Sequence, residues 1–339
     1  MGEVMGRPGN PSSPHGPGRH ARELLERSRR TLAACLGVQA DRIVFTAGGT
    51  EANNLALLGL PGPCLVSTIE HASVLEADPT ALHAPVGPDG VIDLAALEDL
   101  LARHRPRLVA LMLANNETGV VQPVREAARL AHASGALLHC DAVQAFGKLP
   151  TALPDLGADT LSVSAHKLGG PPGVGALVLG PDVEPSALLK GGGQESRRRA
   201  GTPNLPGIAG FATALGLATD WDAIAGLREQ LERGAMARCP DALVLGVTAP
   251  RLPTVACLAA PASAGEVQLM ALDLAGIAVG IGAACSSGRI GPSHVLAAMG
   301  VPTEVARCAI RVSLGWSSTP ADVAAFLAAW PPGRRRAPA

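Results

Sequence analysis

Leu161-Ser162-Val163-Ser164-Ala165-His166-Lys167, followed after one residue by Gly169-Gly170-Pro171-Pro172-Gly173, is the stretch on which the reading of this chain turns. A short apolar strand delivers two hydroxyls, an imidazole and an amine to a point where glycine and proline force the backbone to turn. Lys167 is one of three lysines in 339 residues. An amine held at a strand end beside polar groups can form a Schiff base with a carbonyl cofactor; a surface lysine in a loop is the plain alternative.

Outward from this segment the same pattern recurs. Ile43–Phe45 leads into Thr46-Ala47-Gly48-Gly49-Thr50-Glu51, and Cys64–Val66 into Ser67-Thr68-Ile69-Glu70-His71. Leu108–Leu113 leads into Asn115-Asn116-Glu117-Thr118-Gly119, and Ala136–Cys140 into Asp141-Ala142-Val143-Gln144. Gly175–Leu179 reads as a further strand. Short apolar runs alternating with helical stretches imply an α/β fold, a mostly parallel sheet flanked by helices. Ligands of such sheets bind beyond the strands' C-terminal ends, where these polar clusters fall.

From Gly207 the character changes. Ile208–Leu231 reads as one long helix, Glu266–Ala275 as a helix, and Ile277–Ile281 as a strand. A helix over Ser293–Met299, a strand over Ala309–Leu314 and a helix over Pro320–Trp330 complete a smaller α+β domain. The expected division is a remnant without order at 1–8, a large domain at 9–206, a small one at 207–330 and a tail at 331–339. Arg19–Leu36 is expected to be an amphipathic helix with Leu24, Leu25, Thr31, Leu32 and Cys35 near one face.

Composition limits the function classes. A formal charge of −1 speaks against a general nucleic-acid or membrane-surface binder. Aromatics are 2% and tyrosine is absent, so Ala, Leu, Val and Ile must build the cores. The cysteine count is odd, at seven, with no Cys-x-x-Cys pair, which indicates neither a disulfide framework nor a zinc site. No apolar stretch reaches the ~20 residues of a membrane helix and no signal peptide is read, so a soluble cytoplasmic protein is the expectation.

Several residues carry chemistry with a bland reading beside it. Gly48-Gly49-Thr50 offers an anion cradle at a helix start, or a tight βα turn with Thr50 as cap. Asp141 can hold a pyridine nitrogen protonated, or cap a helix. Asp and then Lys on successive strands is what a pyridoxal phosphate site requires. His71 can stack on a planar ring or move protons, or be an ordinary satisfied histidine. Asn116 is also a natural turn residue. Gly282–Gly288 surrounds Cys285 with small residues, the setting of a reactive thiol, whereas Cys35 and Cys140 are expected to be buried and inert. Arg311 can clamp a carboxylate or form a surface ion pair. The run Arg197-Arg198-Arg199 lacks the interleaved aromatics of a nucleic-acid patch.

Taken jointly, Gly9–Ser13, Thr46–Asn54, Glu70-His71, Asn115–Val121, Asp141–Gly147, Ser164–Gly175, Ala200–Pro203, Ala284–Gly288 with Pro292–Leu296, and Ile310–Gly315 resemble the cysteine desulfurases. These form part of the class V branch of fold-type I pyridoxal phosphate enzymes, and the stretches follow that family's order along nearly the whole chain. The resemblance implies that Lys167 binds pyridoxal 5'-phosphate covalently, Asp141 faces its ring nitrogen, Gln144 its hydroxyl, and His71 its ring face. It implies that Gly49, Thr50, Ser164 and His166 hold the phosphate, and that Thr202 reaches the phosphate of a neighbouring subunit, hence a homodimer. Asn116, Arg199 and Arg311 would handle the substrate carboxylate or the cofactor surroundings. Cys285 would take sulfur from L-cysteine as a persulfide, leaving L-alanine, and pass it to an acceptor, an iron–sulfur scaffold or a tRNA-thiolation relay.

The chain also departs from the pattern. Only Met1–Pro8 precede Gly9, where the family has a short strand and an Asn-Ala-Thr-Thr-Pro-type stretch. Gly169, Pro172, Gln194 and Trp316 stand where an aromatic, a lysine, a histidine and an arginine are common. Two other readings therefore stand beside the desulfurase: a selenocysteine lyase or other class V lyase or aminotransferase, and a truncated, non-catalytic cofactor-binding paralogue.

Overall fold

Seven strands line up in one sheet: β1 (Ile43–Thr46), β2 (Cys64–Ser67), β3 (Leu82–Ala84), β4 (Leu108–Ala110), β5 (Leu137–Asp141), β6 (Thr160–Ser164) and β7 (Gly175–Leu179), in the order β1-β7-β6-β5-β4-β2-β3. The computed structural model describes residues 1–7, 9–217, 219–261, 263–282 and 293–331. From β6 through β5, β4 and β2 to β3 every pairing is parallel, while β7 runs antiparallel to both β6 and β1. The expected mostly parallel sheet is thus observed. Because β7 reverses between them, β1 points the same way as β6. The ends of β1, β2, β4, β5 and β6 therefore share one edge.

Every residue of β1, β2, β4, β6 and β7 is buried. Parallel strands covered on both faces read as continuous apolar runs, which is why they were legible locally. The helix Gly49–Gly59 packs Ala52, Leu55 and Ala56 against Val44, Val66 and Leu177. Each such leucine contributes about 2 kcal/mol through apolar surface removed from water. Aromatics are scarce, and Phe146 meets Phe211 edge to face at 6.0 Å.

The long helix near the N-terminus spans Gly16–Leu36, with His15 capping Gly18 N and Gly37 closing it at φ 69°. Its buried face is Ala21, Leu25, Arg29, Leu32 and Leu36, a spacing of three and four residues. Cys35 falls outside that stripe and is exposed, contrary to expectation, whereas Cys140 is buried as expected. Residues before it are not all irregular: Gly2–Met5 is a helical turn.

Contacts divide the chain into two units. The first comprises Met1–Ala84, Asp93–Leu113 and Gln122–Ala218; the second comprises Pro85–Ile92, Ala114–Val121 and Thr219–Ala339. The break falls after Ala218 rather than at Gly207, because helix Leu205–Leu215 packs on helix Gly16–Leu36. The expected single helix over 208–231 is two, Leu205–Leu215 and Trp221–Arg238, with Asp220 capping the second through Ala223 N.

Among the described residues the second unit holds an antiparallel sheet of three strands, β8 (Leu243–Val244), β9 (Val255–Ala259) and β10 (Ala309–Ser313), with β9 in the middle. Helices Trp221–Arg238, Gly265–Leu274 and Pro320–Ala329 supply Leu231, Leu272, Val323 and Phe326 to its core. Trp330 stacks on Phe326 and donates its indole N–H to Gln268. The strand expected over Ile277–Ile281 is a single bridge, Gly280 to Arg311. Among the described residues no helix is long and apolar enough to cross a membrane.

Candidate active site

The first unit's sheet edge begins with the turn after β1. Thr46 Oγ1 donates to Gly48 O at 3.0 Å, and Ala47 N donates to Glu51 Oε2 at 2.8 Å. Helix Gly49–Gly59 starts there with no side-chain cap among the described residues. A Cβ on Gly49 would lie 2.6 Å from Val143, so only glycine lets this helix start press against the turn that follows β5. First-turn amides and the helix dipole together favour an anion. Thr50 is exposed at that turn, while Ser164 is buried and its hydroxyl lies 2.9 Å from His166 Nδ1. Burial, and then the charges of Lys167 and Lys148, lower the His166 pKa.

Asp141 ends β5 and is buried. Its Oδ1 accepts from Val143 N at 2.9 Å and its Oδ2 from Asn53 Nδ2 at 2.7 Å. Burial raises its pKa; the two hydrogen bonds and the charges of His71 and Lys167 oppose that rise. Lys167 is partly buried on the helical turn Ala165–Leu168, directly after β6. His71 follows β2 and caps the turn Ala72–Leu75, its Nδ1 accepting from Ser73 N at 3.0 Å. Gln144 is partly buried, and its carbonyl accepts from Lys148 Nζ at 2.7 Å. Burial, with Lys167's charge second, pushes Lys148 down to about 8.

The unit thus gathers Gly49, Thr50, His71, Asp141, Gln144, Ser164, His166 and Lys167 along one edge. Arg199 lies in an ion pair with Glu51, Nε to Oε1 2.9 Å, at the first turn of helix Gly49–Gly59. Thr202 is exposed beside a small cavity of about 80 Å³ lined also by Thr46, Glu195 and Arg199. Within the second unit, Arg311 Nη1 donates to Asn116 O at 3.1 Å, and Arg311 Nε to Ser313 Oγ at 3.1 Å. Cys285 lies outside the described residues.

This set fits pyridoxal phosphate: an amine at a strand end, a buried carboxylate held by two donors, and an uncapped helix start beside Ser164 and His166. Sequence reasoning passed over Asn53, Ser73, Lys148 and Glu117. Asn53 carried a signal, being a polar residue on a helix face otherwise filled by Ala52, Leu55 and Ala56. Lys148 carried another, as one of the three lysines.

The aminotransferase class-V family model matches residues 3–326. A cysteine desulfurase of Cereibacter sphaeroides is 46% identical over 96% of this chain and 88% of its own. The NifS-like protein of Rickettsia africae superposes with a TM-score of 0.89 at 34% identity, covering 96% of this chain and 92% of that one. SspA, solved in complex with cysteine, gives a TM-score of 0.79 at 28% identity over 91% of this chain and 92% of that one. With the lysine, aspartate and helix start in place at one sheet edge, the chain belongs to the class-V aminotransferase family and, within it, to the cysteine desulfurases.

Proposed function

We propose that the protein uses pyridoxal phosphate to take sulfur from L-cysteine, leaving L-alanine and a persulfide on Cys285. One observation carries the reading: Lys167, Asp141 and the uncapped start of helix Gly49–Gly59 meet at the edge where β1, β5 and β6 end. Lys167 would attach the cofactor through Nζ. Asp141 would keep a proton on its ring nitrogen, and His71 would cover the ring. Gln144 would meet its hydroxyl, and the helix start, Thr50, Ser164 and His166 its phosphate. When bound, pyridoxal phosphate supplies an electron sink that makes the substrate's Cα–H bond easier to break.

The chain's own groups do the rest. Lys167 Nζ, once released, is an amine able to carry the α-proton. Arg311, bonded to Asn116 in the second unit, offers a fork for the substrate carboxylate. Cys285 as thiolate would attack the substrate sulfur, forming an S–S bond as the substrate's Cβ–S bond breaks and its electron pair stays with carbon, which takes a proton to give alanine; the attack rises with thiolate fraction and access. An ordinary transaminase has no use for that thiol. We further propose a homodimer in which Thr202 completes the neighbour's phosphate site, and an iron–sulfur scaffold or tRNA-thiolation relay as acceptor.

The test is incubation of the purified chain with pyridoxal phosphate, L-cysteine and a reductant. Sulfide and alanine should appear in equal amounts. Cys285→Ser should abolish sulfide release, and borohydride should fix the cofactor on Lys167. Alanine without dependence on Cys285, or an adduct elsewhere than Lys167, would refute the reading.

A further inference from the structure

We propose that Asn53 is a positioning residue whose one amide ties the Asp141 carboxylate to the Ser73 hydroxyl and, through Ser73, to the ring of His71. It rests on the reading that Asp141 and His71 serve the cofactor. Asn53 is 1% exposed. Its Nδ2 lies 2.7 Å from Asp141 Oδ2 and 2.9 Å from Ser73 Oγ, and its Oδ1 lies 3.1 Å from His139 Nε2. Ser73 Oγ is in turn 2.8 Å from His71 Nδ1. The residues come from four places in the chain: the second turn of helix Gly49–Gly59, the turn after β2, the middle of β5 and its end.

Donor direction follows from the ends of the network. An ionised carboxylate only accepts, so the amide nitrogen faces Asp141 and the amide oxygen faces His139. His139 is buried, which drives its pKa down to about 3 and keeps it neutral. Its Nε2 therefore carries the proton toward Asn53, and its Nδ1 accepts from Thr160 Oγ1 at 2.8 Å. At the other end Ser73 N donates to His71 Nδ1 at 3.0 Å, so that nitrogen holds a lone pair. With Asn53 donating to Ser73 Oγ, the hydroxyl proton is directed at the same lone pair. Both bonds from the Asn53 amide nitrogen thus donate outward while its oxygen accepts from His139, and a neutral His71 ring carries its proton on Nε2.

Two consequences join at Asn53. Both Asp141 oxygens have a fixed donor, which orients the carboxylate and favours its charged form in a buried setting. His71 is held in one tautomer by the same amide. A residue that only filled space would do neither.

The experiment compares the full chain with Asn53→Leu, Ser73→Ala and the double variant. It measures cofactor affinity, kcat and KM for L-cysteine, and the tautomer of His71 by nitrogen-15 NMR without cofactor. Asn53→Leu should weaken cofactor binding by about tenfold or more, the effect of losing a hydrogen bond to a charged group. Ser73→Ala should leave that affinity within about threefold, lower kcat with KM unchanged, and shift His71 toward a mixture of tautomers. The double variant should have the kcat of Asn53→Leu, since Asn53 reaches His71 only through Ser73 and its loss already releases that hydroxyl. Parent-like affinity in a folded Asn53→Leu overturns the proposal. If that variant does not fold, Ser73→Ala with parent kcat and an unchanged His71 signal overturns it. Should the parent bind no cofactor, the functional reading fails, and the His71 tautomer still decides the role of Asn53.

Discussion

Glu195 closes a two-pronged ion pair on Arg29, at 2.7 and 2.8 Å, inside the first unit. The same carboxylate accepts from Phe45 N at 2.9 Å, and the Arg29 guanidinium lies over the Phe45 ring, 4.8 Å from its centroid. Arg29 also donates to Ile43 O at 2.7 Å. Both side chains are buried. One carboxylate therefore joins the long N-terminal helix, β1 and the loop that leads to Arg199 and Thr202, just ahead of the helix start at Gly49.

Breaking a buried pair by deleting one partner leaves an uncompensated charge, and Phe45 N would lose its acceptor as well. Glu195→Ala is expected to lower unfolding stability by about 3–5 kcal/mol. Urea denaturation of the full chain measures it. A loss below about 1 kcal/mol would mean that water reaches Arg29 without difficulty.

The backbone of this loop is unusual in its own right. Glu195, Ser196 and Arg197 are three successive non-glycine residues at positive φ, 45°, 56° and 67°. Left-handed backbone costs an L-residue roughly 1–2 kcal/mol, which glycine avoids at the expense of a more flexible unfolded chain. Ser196 is exposed. Ser196→Gly is therefore expected to raise stability by about 0.5–1 kcal/mol. Ser196→Pro, which cannot reach that φ, should lower it sharply. Equal melting curves for the glycine variant and the parent would contradict the strain argument.

Lys148 gives a pH signature. Its folded pKa is depressed to about 8, while an unfolded lysine titrates near 10.4. Between those values the unfolded chain holds a proton that the folded chain has released, so this residue's contribution to stability rises with pH. Below the folded pKa the full penalty of burying the charge applies. Lys148→Met should therefore be more stable than the parent at pH 7, by up to roughly 3 kcal/mol, with the gap narrowing toward pH 10. Denaturation curves of both proteins at pH 7, 8.5 and 10 test the sign. A gap that widens with pH would place Lys148 in an environment that favours its charge.

Lys167 and Asp141 were legible because a buried parallel strand is apolar throughout, and a titratable residue at its end stands out against Leu161–Val163 or Leu137–Cys140. Gly175–Leu179 was legible as a strand but not in its direction, since an antiparallel strand buried on both faces has the same local pattern. The break between Leu215 and Trp221 was missed because the apolar spacing carries across Gly216, although Asp220 was a readable cap. Cys35 was put on the wrong face by a one-position error in helical phase. Ser73 and His139 were beyond local reading altogether, and Asn53 offered only a polar residue on an apolar helix face, with no hint of its partners. Each is an ordinary polar residue in sequence, and only the folded chain brings their donors and acceptors together.

Ser293, the first described residue after 283–292, donates its hydroxyl to Glu117 Oε2 and accepts from Leu296 N at 3.0 Å as the cap of helix His294–Ala298. Glu117 is buried, and its Oε1 meets no hydrogen-bond partner among the described residues. Burial raises the Glu117 pKa, while Ser293, His294 and Arg311 pull it down. Because the net shift is upward, the folded chain holds the proton more tightly than the unfolded chain does. Stability contributed here is full below the ordinary glutamate value and falls as pH rises through the folded value. Ser293→Ala removes a donor to a buried carboxylate and a helix cap together. It is expected to cost about 2–4 kcal/mol at pH 7 and clearly less at pH 5, where the variant's Glu117 is more fully protonated. Arg311 and Asn116 flank Glu117, so KM for L-cysteine should rise in the same variant. The decisive measurement is the pH dependence of unfolding: a loss of equal size at pH 5 and pH 7 would leave the helix cap as Ser293's whole contribution and the bond to Glu117 without energetic weight.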